Sequence, residues 1–329
     1  MGFSVDCFSI ESLIKDYDAL IDNFRKVISD SGAGANIEST KLWKYRKELE
    51  CLDGMENRDV AALLGLVRKY CSVSCLFDSE SGINLPNSKL LMLLEGDPLV
   101  YDKNQNYNDA FFEVSMAIRL AKGIRSHFGR NYEIDMTGVC DVVLVNEMAV
   151  ECKYVHSLTK VRKKISEGIS QIKKRVADGV APVGMVALDI SNLVNHEKIY
   201  KFSQEVFSCF LENHKEIMGS RCVFAGEMND GGVIKSVLSD GNFSRILNLY
   251  AAHEAETVFY KGFTKEEYNK LDKEVIALAY QANYYLCLEY KGEVVPVPFR
   301  SMGRYINKSL PDLYYVGVED MFNSLAVGI

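Results

Sequence analysis

The sequence has no excess of basic residues. Lys and Arg number 38 against 45 Asp and Glu, a net charge of −7, which excludes a general nucleic-acid coating protein with a basic surface. An enzyme that needs only a local positive groove is not excluded. A disulfide framework is also missing: the nine cysteines, at 7, 51, 71, 75, 140, 152, 209, 222 and 287, are odd in number and irregular in spacing, as expected for reduced thiols in a cytosolic protein. Cys71 and Cys75 form a close pair, but with no second pair or nearby His they do not read as a zinc site. The five histidines (127, 156, 196, 214 and 253) show no metal-ligand spacing. No uninterrupted apolar run approaches the roughly 18 residues that a membrane span needs. The first residues lack a basic stretch leading into an apolar one. No Gly-x4-Gly-Lys-Ser/Thr loop marks an ATPase. These absences lead to the expectation of a soluble, cytoplasmic protein with no membrane partner.

What is present is enough apolar material, 48% of 329 residues, for one large or two modest cores. Residues 1–100 read as mostly helical, with Ile10, Leu13, Ile14, Tyr17, Leu20, Ile21, Phe24 and Val27 at helical spacing. The turn chemistry of 29–34 (SDSGAG) breaks that pattern. Further helices are predicted over 59–71 and 88–94. This region shows no chemistry of its own and reads as a helical cap or a partner-binding layer. From 108 to 190 the order changes to a helix (109–122), three short strands (132–136, 140–145 and 149–154), a long helix (157–178) and a buried strand (182–190). A mixed sheet with helices packed on it follows. Beyond it the pattern predicts a helix over 197–218, strands at 221–225 and 232–238, and a helix over 264–284 with Leu271, Val275, Leu278 and Ala282 on one side. A hairpin over 285–299 turns at Lys291-Gly292.

The chemistry concentrates in Cys140-Asp141-Val142-Val143-Leu144-Val145, then Asn146-Glu147-Met148, then Ala149-Val150-Glu151-Cys152-Lys153. A three-residue turn at 146–148 pairs Val145 with Ala149, Val143 with Glu151, and Asp141 with Lys153. Side chains alternate faces along a strand, so Asp141, Glu151 and Lys153 then share one face. A turn of even length would separate the acids. Two carboxylates and an ammonium among Val, Leu and Cys are costly to bury unless compensated, and a hard divalent cation with oxygen ligands compensates them. The plain alternatives are a solvent-facing edge carboxylate for Asp141 and an ordinary cross-strand charged pair for Glu151 and Lys153.

Asp141, nine residues, then Glu151-Cys152-Lys153 resembles the Asp…Glu-x-Lys signature of the PD-(D/E)xK nuclease superfamily. Cys140 stands where the name-giving pattern has Pro. The resemblance covers about 108–190 and implies a restriction-endonuclease-like α/β fold with an αβββαβ core and a mixed central sheet. It divides the chain into a helical N-terminal region (1–100), a nuclease core (101–195) and an α+β C-terminal region (196–329). It further implies Mg²⁺- or Mn²⁺-dependent hydrolysis of DNA phosphodiesters, RNA staying open as substrate, in restriction, repair or anti-phage defence. Asp141 and Glu151 would bind metal, and Glu113 on the preceding helix would complete the metal shell. Lys153 would assist the attacking water, and Gln171 on the following helix would orient Lys153 or that water. A homodimer or a partner protein of a multi-component system is a further expectation. The rival reading is a non-catalytic nuclease-fold binding or adaptor protein.

On the helix after the motif, Leu158, Val161, Ile165, Ile169, Ile172 and Val176 form one apolar stripe. Lys160, Lys164, Gln171 and Arg175 fall together on one flank. Lys160, Lys164, Lys174 and Arg175 are therefore the candidate nucleic-acid contacts. Asp135 and His156 are accessory candidates close to the motif.

Overall fold

The apolar periodicity of the first hundred residues becomes helices α1 (Ile10–Ser31), α2 (Lys41–Glu48), α3 (Asn57–Cys71) and α4 (Asn87–Met92), with a two-residue strand β1 (Ile83–Asn84) before the last. The computed structural model describes residues 10–325 apart from 33, 35, 79, 100–104, 106, 130–132, 222–229 and 269. The central stretch follows as α5 (Tyr107–Phe128), β2 (Ile134–Asp135), β3 (Val142–Leu144), β4 (Met148–Tyr154), α6 (Val161–Ala177) and β5 (Gly184–Asp189). After it come α7 (His196–Arg221), α8 (Asp230–Leu238), α9 (Gly241–Gly262), α10 (Lys265–Tyr268), the long strands β6 (Val275–Tyr290) and β7 (Glu293–Ile306), and α11 (Asp312–Leu325).

The strands form one seven-stranded mixed sheet in sequential order, β1 to β7. β1–β2, β4–β5 and β5–β6 are parallel, and β2–β3, β3–β4 and β6–β7 are antiparallel. The chain is thus α/β, with helices on both faces of the sheet. One face buries Val142, Val150, Cys152, Met185 and Ala187 with side chains of α1, α3, α5 and α11. The other buries Val143, Ala149, Val186 and Leu188 with α6, α7, α8 and α9. The helical stretch Asn57–Phe77 is long and apolar enough to cross a membrane; here its Leu63, Leu66, Val67 and Tyr70 are core residues.

Several expectations are corrected. The 232–238 run is helical: Val233, Ile234, Val237 and Leu238 are buried at helical spacing in α8. The expected helix over 264–284 is replaced from Val275 onward by β6, an interior strand flanked by β5 and β7. Burial on both faces erases the alternation that normally announces a strand, and Leu271, Val275, Leu278 and Ala282 fell at helical spacing by coincidence. Of the other expected strands, 222–225 and 132 lie outside the described residues, and Arg221 ends α7. Helices α2, α9 and α11 had not been anticipated. The turn at Lys291-Gly292 is present between β6 and β7.

Candidate active site

The β3–β4 hairpin decides whether the three signature residues meet. Its observed pairs are Val142 with Val150, Val143 with Ala149 and Leu144 with Met148. The turn is Val145-Asn146-Glu147, one residue earlier than expected, with Asn146 at φ 64°, a left-handed conformation that Asn tolerates well. The pairing expected from the sequence is therefore corrected by two residues. A shift of two preserves parity, so Glu151 and Lys153 keep the face covered by α6, while Asp141, in the bend just before β3, is brought to Lys153 by contact and not by strand alternation.

Their contacts follow from that. Lys153 Nζ donates to Asp141 Oδ2 and to Glu151 Oε2, each at 3.1 Å. Asp141 Oδ2 also accepts the Cys152 backbone N–H at 2.7 Å. Glu151 is 1% exposed, and its other oxygen accepts from Arg175 Nε at 3.0 Å. Burial lowers the Lys153 pKa, but Asp141 and Glu151 outweigh it and hold the ammonium above its usual value. Burial first, and then repulsion from Asp141, raises the Glu151 carboxyl.

Helix α5 adds a third acid. Glu113 has its pKa raised by burial and by Asp141, and its Oε2 accepts from Lys89 Nζ at 2.8 Å. Lys89 lies on α4, in the region read as carrying no chemistry, and it also reaches the Asp141 carbonyl at 3.4 Å. One turn before Glu113, Asp109 pairs with His156 at 3.1 Å. Sequence reading missed Lys89 and Asp109. For Asp109 the signal was available, because residues four apart share a helix face; for Lys89, 24 residues from its partner, none was.

A cavity of about 650 Å³ opens over this constellation, lined by Asp109, Glu113, Asp141 and Lys153 on one side. Opposite them α6 contributes Lys163, Lys164, Ser166, Glu167, Ser170 and Gln171. Gln171, one of the lining residues, has a buried Oε1 that accepts no hydrogen bond. Lys164 pairs with Glu167 at 3.4 Å. Lys160 and Lys174 are exposed and stand outside this lining. Arg175, expected to contact nucleic acid, is instead turned inward: besides Glu151 it donates from Nη2 to the Val139 carbonyl at 2.7 Å. Asp135 caps the next turn, accepting from the backbone N–H and hydroxyl of Thr137.

Among the described residues no three His, Cys, Asp or Glu side chains form a ready metal cluster. The acids are linked through lysines: Asp141 and Glu151 through Lys153, Glu113 through Lys89. Glu113 and Asp141 line the cavity and Glu151 lies buried beside it, on the other side of Lys153; carboxylate donors of this kind nevertheless suit a hard divalent cation that keeps several waters. Burial first, and repulsion from Asp141 second, raise Glu113 and Glu151, and a bound cation would relieve that second cause. Comparison with family models, with curated proteins and with solved structures finds no match to this chain.

Proposed function

We propose that this chain is a metal-dependent nuclease of the PD-(D/E)xK type, acting on phosphodiester bonds of DNA. The observation that carries the reading is the sharing of one ammonium, Lys153, by the carboxylates of Asp141 and Glu151, beside a cavity lined by Asp141, Lys153 and Glu113. The order α5-β2-β3-β4-α6-β5 supports it, as does the placement of Gln171 in the same cavity.

In this reading Asp141 and Glu151, with Glu113, would hold Mg²⁺ or Mn²⁺. Such a cation, when bound, polarises the phosphate and lowers the pKa of water. Lys153 stays charged, because both acids favour the ammonium, and it stabilises negative charge developing on the phosphoryl oxygens. Gln171, with a free carbonyl oxygen, orients a water or the ammonium through a hydrogen bond. Arg175 positions Glu151 rather than substrate. Lys163 and Lys164, with the hydroxyls of Ser166 and Ser170, supply the wall that a phosphate backbone would follow. Restriction, repair or anti-phage defence, in a homodimer or with a partner protein, is the corresponding biological role.

The test incubates the full chain with plasmid, linear duplex, single-stranded DNA and RNA in Mg²⁺ or Mn²⁺. Cleavage should fall about 10²–10³-fold in Lys153→Met and at least as far in Asp141→Asn. Cleavage indifferent to both substitutions would remove these residues from the chemistry. A second reading, a non-catalytic binding or adaptor protein on the same scaffold, is favoured by one observation: Lys153, Arg175 and Lys89 already balance the acids internally. Tight nucleic-acid binding without cleavage in either metal would select it.

A further inference from the structure

We infer that Lys89 is a positioning residue of this site, by which the N-terminal helical layer fixes two of its three acids; the inference rests on the nuclease reading. The geometry is specific. Lys89 Nζ touches the side chain of one acid, Glu113, at 2.8 Å and the main chain of another, Asp141, at 3.4 Å. The two belong to different elements: Glu113 to helix α5, Asp141 to the bend that leads into β3. The Lys89 and Glu113 side chains are 21% and 18% exposed, so water competes weakly for this contact.

Lys89 acts from behind the cavity. Glu113 and Asp141 line it and Lys89 does not, so the ammonium has no direct route to substrate there. Its grip on Oε2 holds the Glu113 carboxylate at the cavity wall, and its grip on the Asp141 carbonyl holds the segment that presents Asp141. Partners that orient ligating carboxylates typically change metal affinity by about 10–100-fold when removed. The short helix α4 is therefore part of the site's support and not only a cover over it.

The experiment titrates Mn²⁺ into the full chain without nucleic acid, following the free ion by electron paramagnetic resonance. Wild type is compared with Lys89→Met, Lys89→Gln and Lys89→Arg. Lys89→Met should bind Mn²⁺ about 10–100-fold more weakly, with Lys89→Arg recovering most of the loss. Binding by Lys89→Met as tight as wild type, or tighter, overturns the inference; a tighter value would mean that the lysine competes with the cation. A second readout needs no metal. Backbone hydrogen exchange across 138–142 should quicken in Lys89→Met while the melting temperature moves little. If Lys89→Met does not fold, Lys89→Gln, which keeps a donor without the charge, takes its place in both measurements. If wild type binds no Mn²⁺, the metal reading fails on its own, and unchanged exchange at 138–142 then overturns the role of Lys89.

Discussion

A glutamate that is 1% exposed stays compatible with folding when both of its oxygens are held by charged donors. Glu151 meets that condition through Lys153 and Arg175; the buried oxygen of Gln171, on the same helix as Arg175, has no such donor. A buried acceptor without a partner costs about 1–3 kcal/mol, and such costs are tolerated where function needs them. Gln171→Leu should therefore leave thermal stability equal to wild type or up to about 1 kcal/mol higher, while nucleic-acid cleavage drops. A variant both less stable and fully active would show that the amide has a structural partner. The acids make a separate, pH-dependent statement. Burial and Asp141 raise Glu113 and Glu151 above the usual glutamate value of 4.5, so the folded chain binds their protons more tightly than the unfolded chain. Their contribution to stability is full below that value and is lost as pH rises through the raised values. Asp141→Asn removes the second cause of both shifts. In the metal-free protein, the stability of Asp141→Asn relative to wild type should therefore fall as pH is lowered from 7 toward 4.5. Denaturant melts of the two proteins at stepped pH give that difference, and a difference constant with pH would contradict the coupling.

Elements carry these residues to their places, and α6 shows how closely. Gly168 faces β5, where a Cβ would stand 2.6 Å from Val186 Cγ1. Only a glycine lets the helix approach the sheet closely enough for Gln171 and Arg175, on the next turn and beyond, to reach the site. Gly168→Ala should cost about 1–3 kcal/mol in denaturant melts, as overpacking does, and should reduce cleavage further than the stability loss explains. An unperturbed Gly168→Ala would mean that α6 has slack the geometry does not show. The same element scale explains what could be read in advance. Strand parity survived a misplaced turn because side chains repeat every two residues, so an error of two in pairing leaves Glu151 and Lys153 on the expected face; Asp141 joins them from the bend before β3. Helix α6 was legible because one of its faces is polar. Strand β6 was not, since an interior strand with both faces covered has no polar positions to mark its period. Lys89 was illegible for another reason: its meaning lies entirely in a tertiary contact.

At the scale of the whole molecule, the sheet and α5 are joined by a second polar network on the face opposite α6. Arg119 of α5, buried, donates to the carbonyl of its own Ser115 at 3.1 Å and to Gln281 Oε1 at 2.5 Å. Gln281 Nε2 donates onward to Asp189 Oδ2 at 2.6 Å. Asp189 also accepts from Asn283 and Ser191, so the chain of bonds runs from α5 through β6 to the end of β5. Burial pushes the Arg119 guanidinium down to about 10, still charged at neutral pH. Because the same helix carries Asp109 and Glu113, this network fixes the height of α5 over the sheet and with it one wall of the cavity. Gln281→Leu keeps the volume but takes from the buried guanidinium its Gln281 acceptor and from Asp189 one of its donors, and should cost about 1–3 kcal/mol. Arg119→Met removes the cation, so the double variant should be less damaged than the two single losses added together. The coupling energy expected for residues sharing one network is about 1–3 kcal/mol. Denaturant melts of the four proteins measure it, and strict additivity would mean that Gln281 does not link the two charges.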